Sequence, residues 1–254
     1  MPEVIISGPV GRIEGRYHQN PDPKAPVALV LHPHPLHGGT MNNKITYSLY
    51  KNFVDNGFSV LRVNFRGVGK SQGKFDNGAG ELLDATAVMN WLHDQNMESS
   101  EFWVAGFSFG SWIALQLLMR RPEIENYILV GPPVSKYDFN FIVPCSSNAL
   151  IVQGEIDEIS KEADTAQLVE KLSAREDAEI VYKVISGGDH FFKDKMNEFE
   201  SIIDNHIKGR LFADVGKIRK VKRDRRRRRK KKNIIEKKPD RNQFPVKSLS
   251  FFEN

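Results

Sequence analysis

Cysteine is nearly absent from this chain of 254 residues: Cys145 stands alone. One thiol cannot build an internal disulfide framework, so a buried apolar core must stabilise the fold, and the usage suits a reducing cytoplasm. No stretch reaches the roughly 18 uninterrupted apolar residues that a membrane helix needs. The first residues, "MPEVIISGPVGRIEGR", lack the basic segment and long apolar run of a secretory signal. Internal repeats are also missing. A soluble, cytoplasmic body is therefore expected, and a hydrophobic content of 40% is enough to give it a core.

The net charge of +5 averages two unlike segments. From Gly216 onward there are 17 Lys+Arg against 4 Asp+Glu, a net of +13, whereas the preceding 215 residues hold 20 against 28, a net of −8. An acidic body at 1–212 is thus followed by a basic segment at 213–254. Within the latter, "KIRKVKRDRRRRRKKK" (217–232) is a like-charge block that repels itself and is expected to stay disordered. It contains no aromatic residue, which argues against base stacking. Nonspecific contact with nucleic acid or an anionic membrane remains a candidate role. It gives the rival reading of the whole chain, a non-catalytic or tethered interaction protein.

The body reads as strands alternating with helices. "EVIISG" and "GRIEGRYHQ" form a hairpin at a sheet edge. "APVALVLHPHP", "FSVLRVNF", "EFWVAG", "NYILVGPP", "NALIVQG" and "EIVYKVIS" are apolar runs suited to strands buried on both faces. Helical spacing marks "NNKITYSLYKNFVDNG", "GAGELLDATAVMNWLHDQN" (Leu82, Leu83, Ala87, Met89, Trp91 and Leu92 on one broad face), "FGSWIALQLLMRRP" and "KEADTAQLVEKLSARE". A last helix is expected over "FFKDKMNEFESIIDNHIKGRLF". This pattern implies an α/β fold, a mostly parallel, doubly wound sheet with helices on both faces. The connection "GPPVSKYDFNFIVPCSSN" is too short for a large lid domain.

Chemistry enters at "VAGFSFGSW". Gly106-Phe107-Ser108-Phe109-Gly110 fits G-x-S-x-G between a strand and a helix. A serine at such a turn sits in a strained backbone, and side chains two residues to either side would collide, so glycine suits both places. Downstream, Asp157 lies in the turn after "ALIVQG", with Glu155 and Glu158 as rivals, and His190 lies in the loop after "EIVYKVIS". Ser108, Asp157, His190 is the chain order of nucleophile, acid and base in one hydrolase class.

Taken in order, "LHPHPLHGGTMNNK", "NFRGVGKSQG", "GAGELLDA", "AGFSFGSWIALQLLMRRPEI" and "GGDHFF" resemble the marks of the α/β-hydrolase superfamily. More narrowly, they are similar to a group of small lidless bacterial serine hydrolases, many of them alphaproteobacterial. The resemblance covers about residues 3–210. It implies an α/β-hydrolase fold, hydrolysis of a small-molecule ester or related acyl bond, and no metal or organic cofactor. A thioester or short peptide is open as substrate, and so is the oligomeric state, a dimer included.

Two motifs compete with that reading. "NFRGVGKSQG" ends in Gly-Lys-Ser, but a phosphate-binding loop needs glycine where Asn64 stands, and no helix starts at the Lys-Ser pair. The residues match instead an R-G-x-G-x-S turn frequent in α/β hydrolases. His32, His34 and His37 have H-x-H-x-x-H spacing, yet Leu36 replaces the aspartate of the corresponding two-metal motif, and prolines stiffen the loop. No metal site is expected. The loop is read as half of an oxyanion hole, with backbone N–H groups of Phe109 and His34 as donors, His34 preferred over Leu36. Met41, Phe107, Phe109, Phe191 and Phe192 are candidates for an apolar acyl pocket, each equally ordinary as core.

Overall fold

A computed structural model of the chain describes residues 2–99, 101–143, 146–174 and 178–212. The basic run 217–232 and Cys145 lie outside the described residues. The chain divides into two compact units, Met1–Lys208 and Gly209–Asn254. Of the second, residues 209–212 are described, as helix.

The first unit is built on one sheet of eight strands: β1 (Glu3–Gly8), β2 (Gly11–His18), β3 (Val27–Leu31), β4 (Ser59–Val63), β5 (Phe102–Phe107), β6 (Ile124–Val130), β7 (Asn148–Gly154) and β8 (Ile180–Ile185). Their spatial order is β1-β2-β4-β3-β5-β6-β7-β8. The β1–β2 hairpin is antiparallel and β2 runs antiparallel to β4, whereas all later pairings are parallel. Residue type explains the arrangement. All residues of β3, β4 and β5 are buried, which requires cover on both faces. In β1, by contrast, only Ile6 is fully buried, as befits an edge.

Cover comes from α1 (Lys44–Asp55), α2 (Ala79–Gln95), α3 (Phe109–Leu118), α4 (Glu162–Leu172) and a last helix, α5, which begins at residue 196 and runs over 196–208 within this unit. Helices α1 and α5 share a face: Ser48 Oγ donates to Glu200 at 2.9 Å and Asn56 Nδ2 to Asp204 at 3.0 Å. There Trp103 of β5 packs edge-on against Phe53 and Phe58. The other face carries α2 and α3, whose Leu82, Ala85, Val88, Met89 and Leu92 join Ile113, Leu117 and the strand residues Leu29, Leu31 and Val104 in one core.

Two helix expectations need correction. Leu83 is not on the core face of α2; it is 56% exposed, because the buried stripe runs through 82, 85, 89 and 92 at helical spacing. Likewise α5 starts at 196 rather than at Phe191. Asp189 Oδ1 accepts the N–H groups of Phe191 (3.1 Å) and Lys193 (2.8 Å), while Phe192 and Asp194 take positive φ values of 52° and 58°. The side chain of Phe192 is thereby driven inward to stack on Phe199, with ring centroids 4.9 Å apart.

Candidate active site

The parallel strands end on one side of the sheet, and the loops that leave them there carry the polar groups singled out in the sequence, where α/β folds commonly bind ligands. Ser108 follows β5 directly, at φ 52° and ψ −119°. This left-handed backbone costs about 1–3 kcal/mol for a non-glycine residue and is held by its surroundings. Ser108 N–H donates to Val130 O at 2.8 Å, and Ser108 O accepts both the N–H (2.8 Å) and the Oγ–H (2.6 Å) of Ser111. A Cβ on Gly106 would lie 2.2 Å from Gly110 O, and one on Gly110 2.4 Å from Leu31 O. Both flanking glycines are thus imposed by close backbone approach.

After β7 the chain turns at Gly154 and presents Asp157. Its side chain is wholly buried. Oδ1 accepts the N–H groups of Ile159 and Ser160, each at 2.8 Å, and Oδ2 accepts from Gln153 Nε2 at 3.0 Å. His190, in the loop after β8, donates from Nδ1 to the same Oδ2 at 2.6 Å. Because the carboxylate only accepts, the neutral ring carries its proton on Nδ1 and keeps Nε2 as its basic nitrogen. The imidazole packs between Phe107, centroid distance 5.0 Å, and Phe191, 5.3 Å. Beside it, Gly131 has φ 52°, and a Cβ there would come within 3.1 Å of His190 Cε1. The rival Glu155 is engaged elsewhere, accepting from Ser186 Oγ and Gly187 N at 2.8 Å each; these bonds, the backbone one foremost, hold its carboxyl below the usual range.

Ser108 and His190 open onto a shared cavity of about 450 Å³, which is also lined by His34, Phe109, Tyr137 and Phe191. Phe109 is the first residue of α3, so its N–H has no intrahelical acceptor. His34 closes the loop after β3: its carbonyl accepts from His37 N and Gly39 N, and its Nδ1 accepts the Leu36 N–H at 3.1 Å. Leu36 thus has its N–H occupied and its side chain 70% exposed, whereas His34 faces the cavity. Burial, followed by the neighbouring His37, pushes the His34 pKa down.

Comparison with known proteins agrees with this architecture. Residues 18–144 match the family described as X-Pro dipeptidyl-peptidase (S15 family). An uncharacterized protein of Rickettsia prowazekii is 52% identical over 211 residues, 82% of this chain and 89% of the relative. A crystal structure of an α/β hydrolase of unknown function from Agrobacterium tumefaciens superposes with a TM-score of 0.81 at 47% identity, covering 84% of this chain and 97% of that one. The α/β serine hydrolase homologue of Coxiella burnetii gives 0.74 at 36% identity, covering 81% and 96%. A serine hydrolase without a lid from Xanthomonas campestris gives 0.72 at 29% identity, covering 82% and 93%. The chain belongs to the lidless α/β serine hydrolases.

In this hydrolase three pocket assignments made from sequence fail. Met41 is 1% exposed and turned inward, its N–H donating to Asn64 Oδ1 at 2.8 Å and its carbonyl accepting from Arg62 at 2.7 Å. Phe107 is fully buried, so it supports the histidine from behind rather than facing a ligand. Both are the apolar residues of strand and loop ends that the core claims first. Phe192 is core as well. The sequence reading missed Tyr137, Lys136, Ile159 and Asn43, which line the cavity. Two of them lie in "GPPVSKY", just beyond β6, and position at a strand's C-terminal end was the available signal.

The competing motifs turn out to be structural. Lys70 N donates to Glu14 Oε2 at 2.8 Å, its ammonium reaches Glu3 at 2.6 Å, and Ser71 Oγ donates to Asn64 O at 2.7 Å. Gly-Lys-Ser is a brace between the hairpin and β4, and α2 starts only at Ala79. Arg66 makes a bidentate pair with buried Asp84 at 2.8 and 2.7 Å. His32, fully buried, donates from Nδ1 to Pro33 O at 2.6 Å and accepts Phe65 N–H on Nε2 at 3.0 Å. With both nitrogens occupied it has no lone pair for a metal, and among the described residues no group of His, Cys, Asp or Glu is arranged to hold one. Among the described residues no helix is long and apolar enough to cross a membrane.

Proposed function

We propose that this hydrolase cleaves a carboxylic ester or related acyl bond through an acyl-enzyme intermediate. Ser108 would be the nucleophile, His190 the general base and Asp157 the group that orients the imidazole and stabilises its charged form. One observation carries the reading: a serine held at positive φ shares a cavity with a histidine whose far nitrogen is fixed by a buried carboxylate that accepts three further hydrogen bonds. The basic Nε2 takes the Ser108 proton as the hydroxyl attacks the carbonyl. The N–H groups of Phe109 and His34 receive the developing oxyanion. His190 then protonates the leaving group, and water, deprotonated by the same nitrogen, releases the acyl group and regenerates the serine. Each step is served by the residues named, without metal or organic cofactor.

An ester is the substrate class taken first; a thioester or a short peptide, the latter carrying the bond type named for the matched peptidase family, is the alternative. A single cysteine suits a cytoplasmic setting. The basic run 217–232 would serve as a tether to nucleic acid or an anionic membrane, leaving the chemistry in the body. The test is labelling by a fluorophosphonate probe with EDTA present, wild type beside Ser108→Ala. Labelling that needs Ser108 and ignores EDTA supports the proposal; folded wild-type protein that stays unlabelled refutes it.

A further inference from the structure

The charged and donor groups that line the cavity share one sign. Lys136 is exposed at the wall, and no carboxylate belongs to the lining. Asp157 is wholly buried and bonded to His190 Nδ1. Glu81, whose charge reaches Tyr137, directs both oxygens at backbone, accepting from Asp76 N at 2.9 Å and Gly78 N at 2.7 Å. Asp138, two residues from the lysine, accepts from Asn140 N at 2.8 Å in its own turn. Among the described residues no ion pair or side-chain hydrogen bond engages the Lys136 ammonium.

Lys136 is also anchored. Its N–H donates to Pro133 O at 3.0 Å, and that of Tyr137 to the same oxygen at 3.2 Å. The Tyr137 ring stacks on Trp112 at 4.4 Å, and Trp112 Nε1 donates to Asp138 O at 2.9 Å. The backbone that carries the ammonium is therefore tied to α3, the helix that Ser108 caps. A second donor lies in the same cavity. Asn43 uses its Oδ1 to cap α1, accepting from Ile45 N at 3.0 Å, and this orientation leaves its Nδ2 as the free half of the amide. Tyr137 and Phe109 supply apolar wall.

We infer that the cavity selects acyl esters bearing a carboxylate remote from the scissile carbonyl, with Lys136 as the specificity-determining residue and Asn43 as a second donor. This rests on the ester-hydrolase reading above. A monoanion is the matching charge, because one permanent cation and one neutral amide balance a carboxylate, whereas a phosphate dianion asks for more. A charge-assisted hydrogen bond in a partly enclosed site is stronger than a neutral one, and it separates a monoester of a dicarboxylic acid from its diester of equal length.

The experiment uses full-length Ser108→Ala protein, which cannot turn over, titrated calorimetrically with monomethyl adipate and dimethyl adipate at low salt. The monoester is expected to bind about tenfold more tightly, a difference of about 1.4 kcal/mol. Adding Lys136→Gln should erase the ratio, and Lys136→Arg should restore it. Raising ionic strength should also shrink it, since the site is open to screening. Equal binding of the two esters, no measurable binding of either, or a preference unchanged by Lys136→Gln would overturn the inference. Failure of the fluorophosphonate test is a separate event: it removes the acyl-transfer reading, while the titration still reports whether the cavity recognises the carboxylate.

Discussion

Replacing His32 with glutamine isolates one buried imidazole as a source of acid sensitivity. His32 sits beneath the loop after β3 with no exposed surface, and burial foremost lowers its pKa from the ordinary 6.5 to about 4, against the opposing bond to Pro33 O. In the unfolded chain the same ring titrates near its ordinary value. Between the two values the unfolded chain binds a proton that the folded chain refuses. Stability is therefore fully present above pH 6.5 and is lost as pH falls toward 4. Below that no further loss arises from this residue.

Linkage over that interval gives a loss of about 2 kcal/mol at pH 5 relative to pH 7.5, and about 3 kcal/mol at pH 4. For a chain whose total stability is typically about 5–15 kcal/mol, this is a large fraction. Glutamine places its Oε1 near the position of Nε2, so the Phe65 N–H keeps an acceptor while the titration disappears. Urea unfolding of both proteins at pH 7.5, 6 and 5 measures the difference, and other titrating groups cancel in the subtraction. The wild type should lose about 2 kcal/mol more than His32→Gln between the first and last pH. A difference that stays level across the interval would refute the assignment of a neutral, proton-refusing His32.

Two further perturbations probe the frame around the site. Asp84→Ala leaves the buried Arg66 guanidinium without its bidentate partner and should cost about 3–5 kcal/mol in urea unfolding; a loss below about 1 kcal/mol would mean that Asp76, 3.7 Å away, takes over the role. Gly131→Ala forces a side chain onto a φ of 52° and against the His190 ring, so it should lower stability by about 1–2 kcal/mol and esterase kcat/KM by about tenfold or more, read by thermal unfolding beside turnover of one neutral ester; unchanged turnover would show that the imidazole yields without leaving its working position.

The sheet was legible because its strands are buried on both faces. Runs such as Val27–Leu31 and Phe102–Phe107 have no polar side to hide, and the helices between them carry stripes at helical spacing. Their spatial order was not legible. Nothing in β4 or β3 announces that β4 pairs with the hairpin strand β2 while β3 lies on its inner side. That depends on packing between residues distant in the chain, such as the register of Tyr17 with Leu61. The start of α5 was misread for a related reason: "FFKDK" has helical composition, but Asp189 captures its first N–H groups and turns Phe192 into the core.

Ser108 could be singled out in the sequence because backbone geometry restricts what may stand beside it, and Asp157 and His190 because they follow strand ends in a fixed chain order, whereas the cavity wall could not be read. Glycines at 106 and 110 are demanded by backbone approaches that any side chain would violate, and Gly131 by its positive φ beside the His190 ring, and such demands leave a mark in the sequence. A wall residue faces no comparable demand. Lys136 and Asn43 are ordinary surface types in ordinary turns, and only the three-dimensional arrangement shows that they share a cavity without an opposing carboxylate. Conversely, Phe107 and Met41 had the composition of a pocket but occupy strand and loop ends where the core takes them. Under the proposed reading the chemistry lies where the backbone is strained and the choice of substrate where it is free, which makes Lys136 the residue to replace when that proposal is tested.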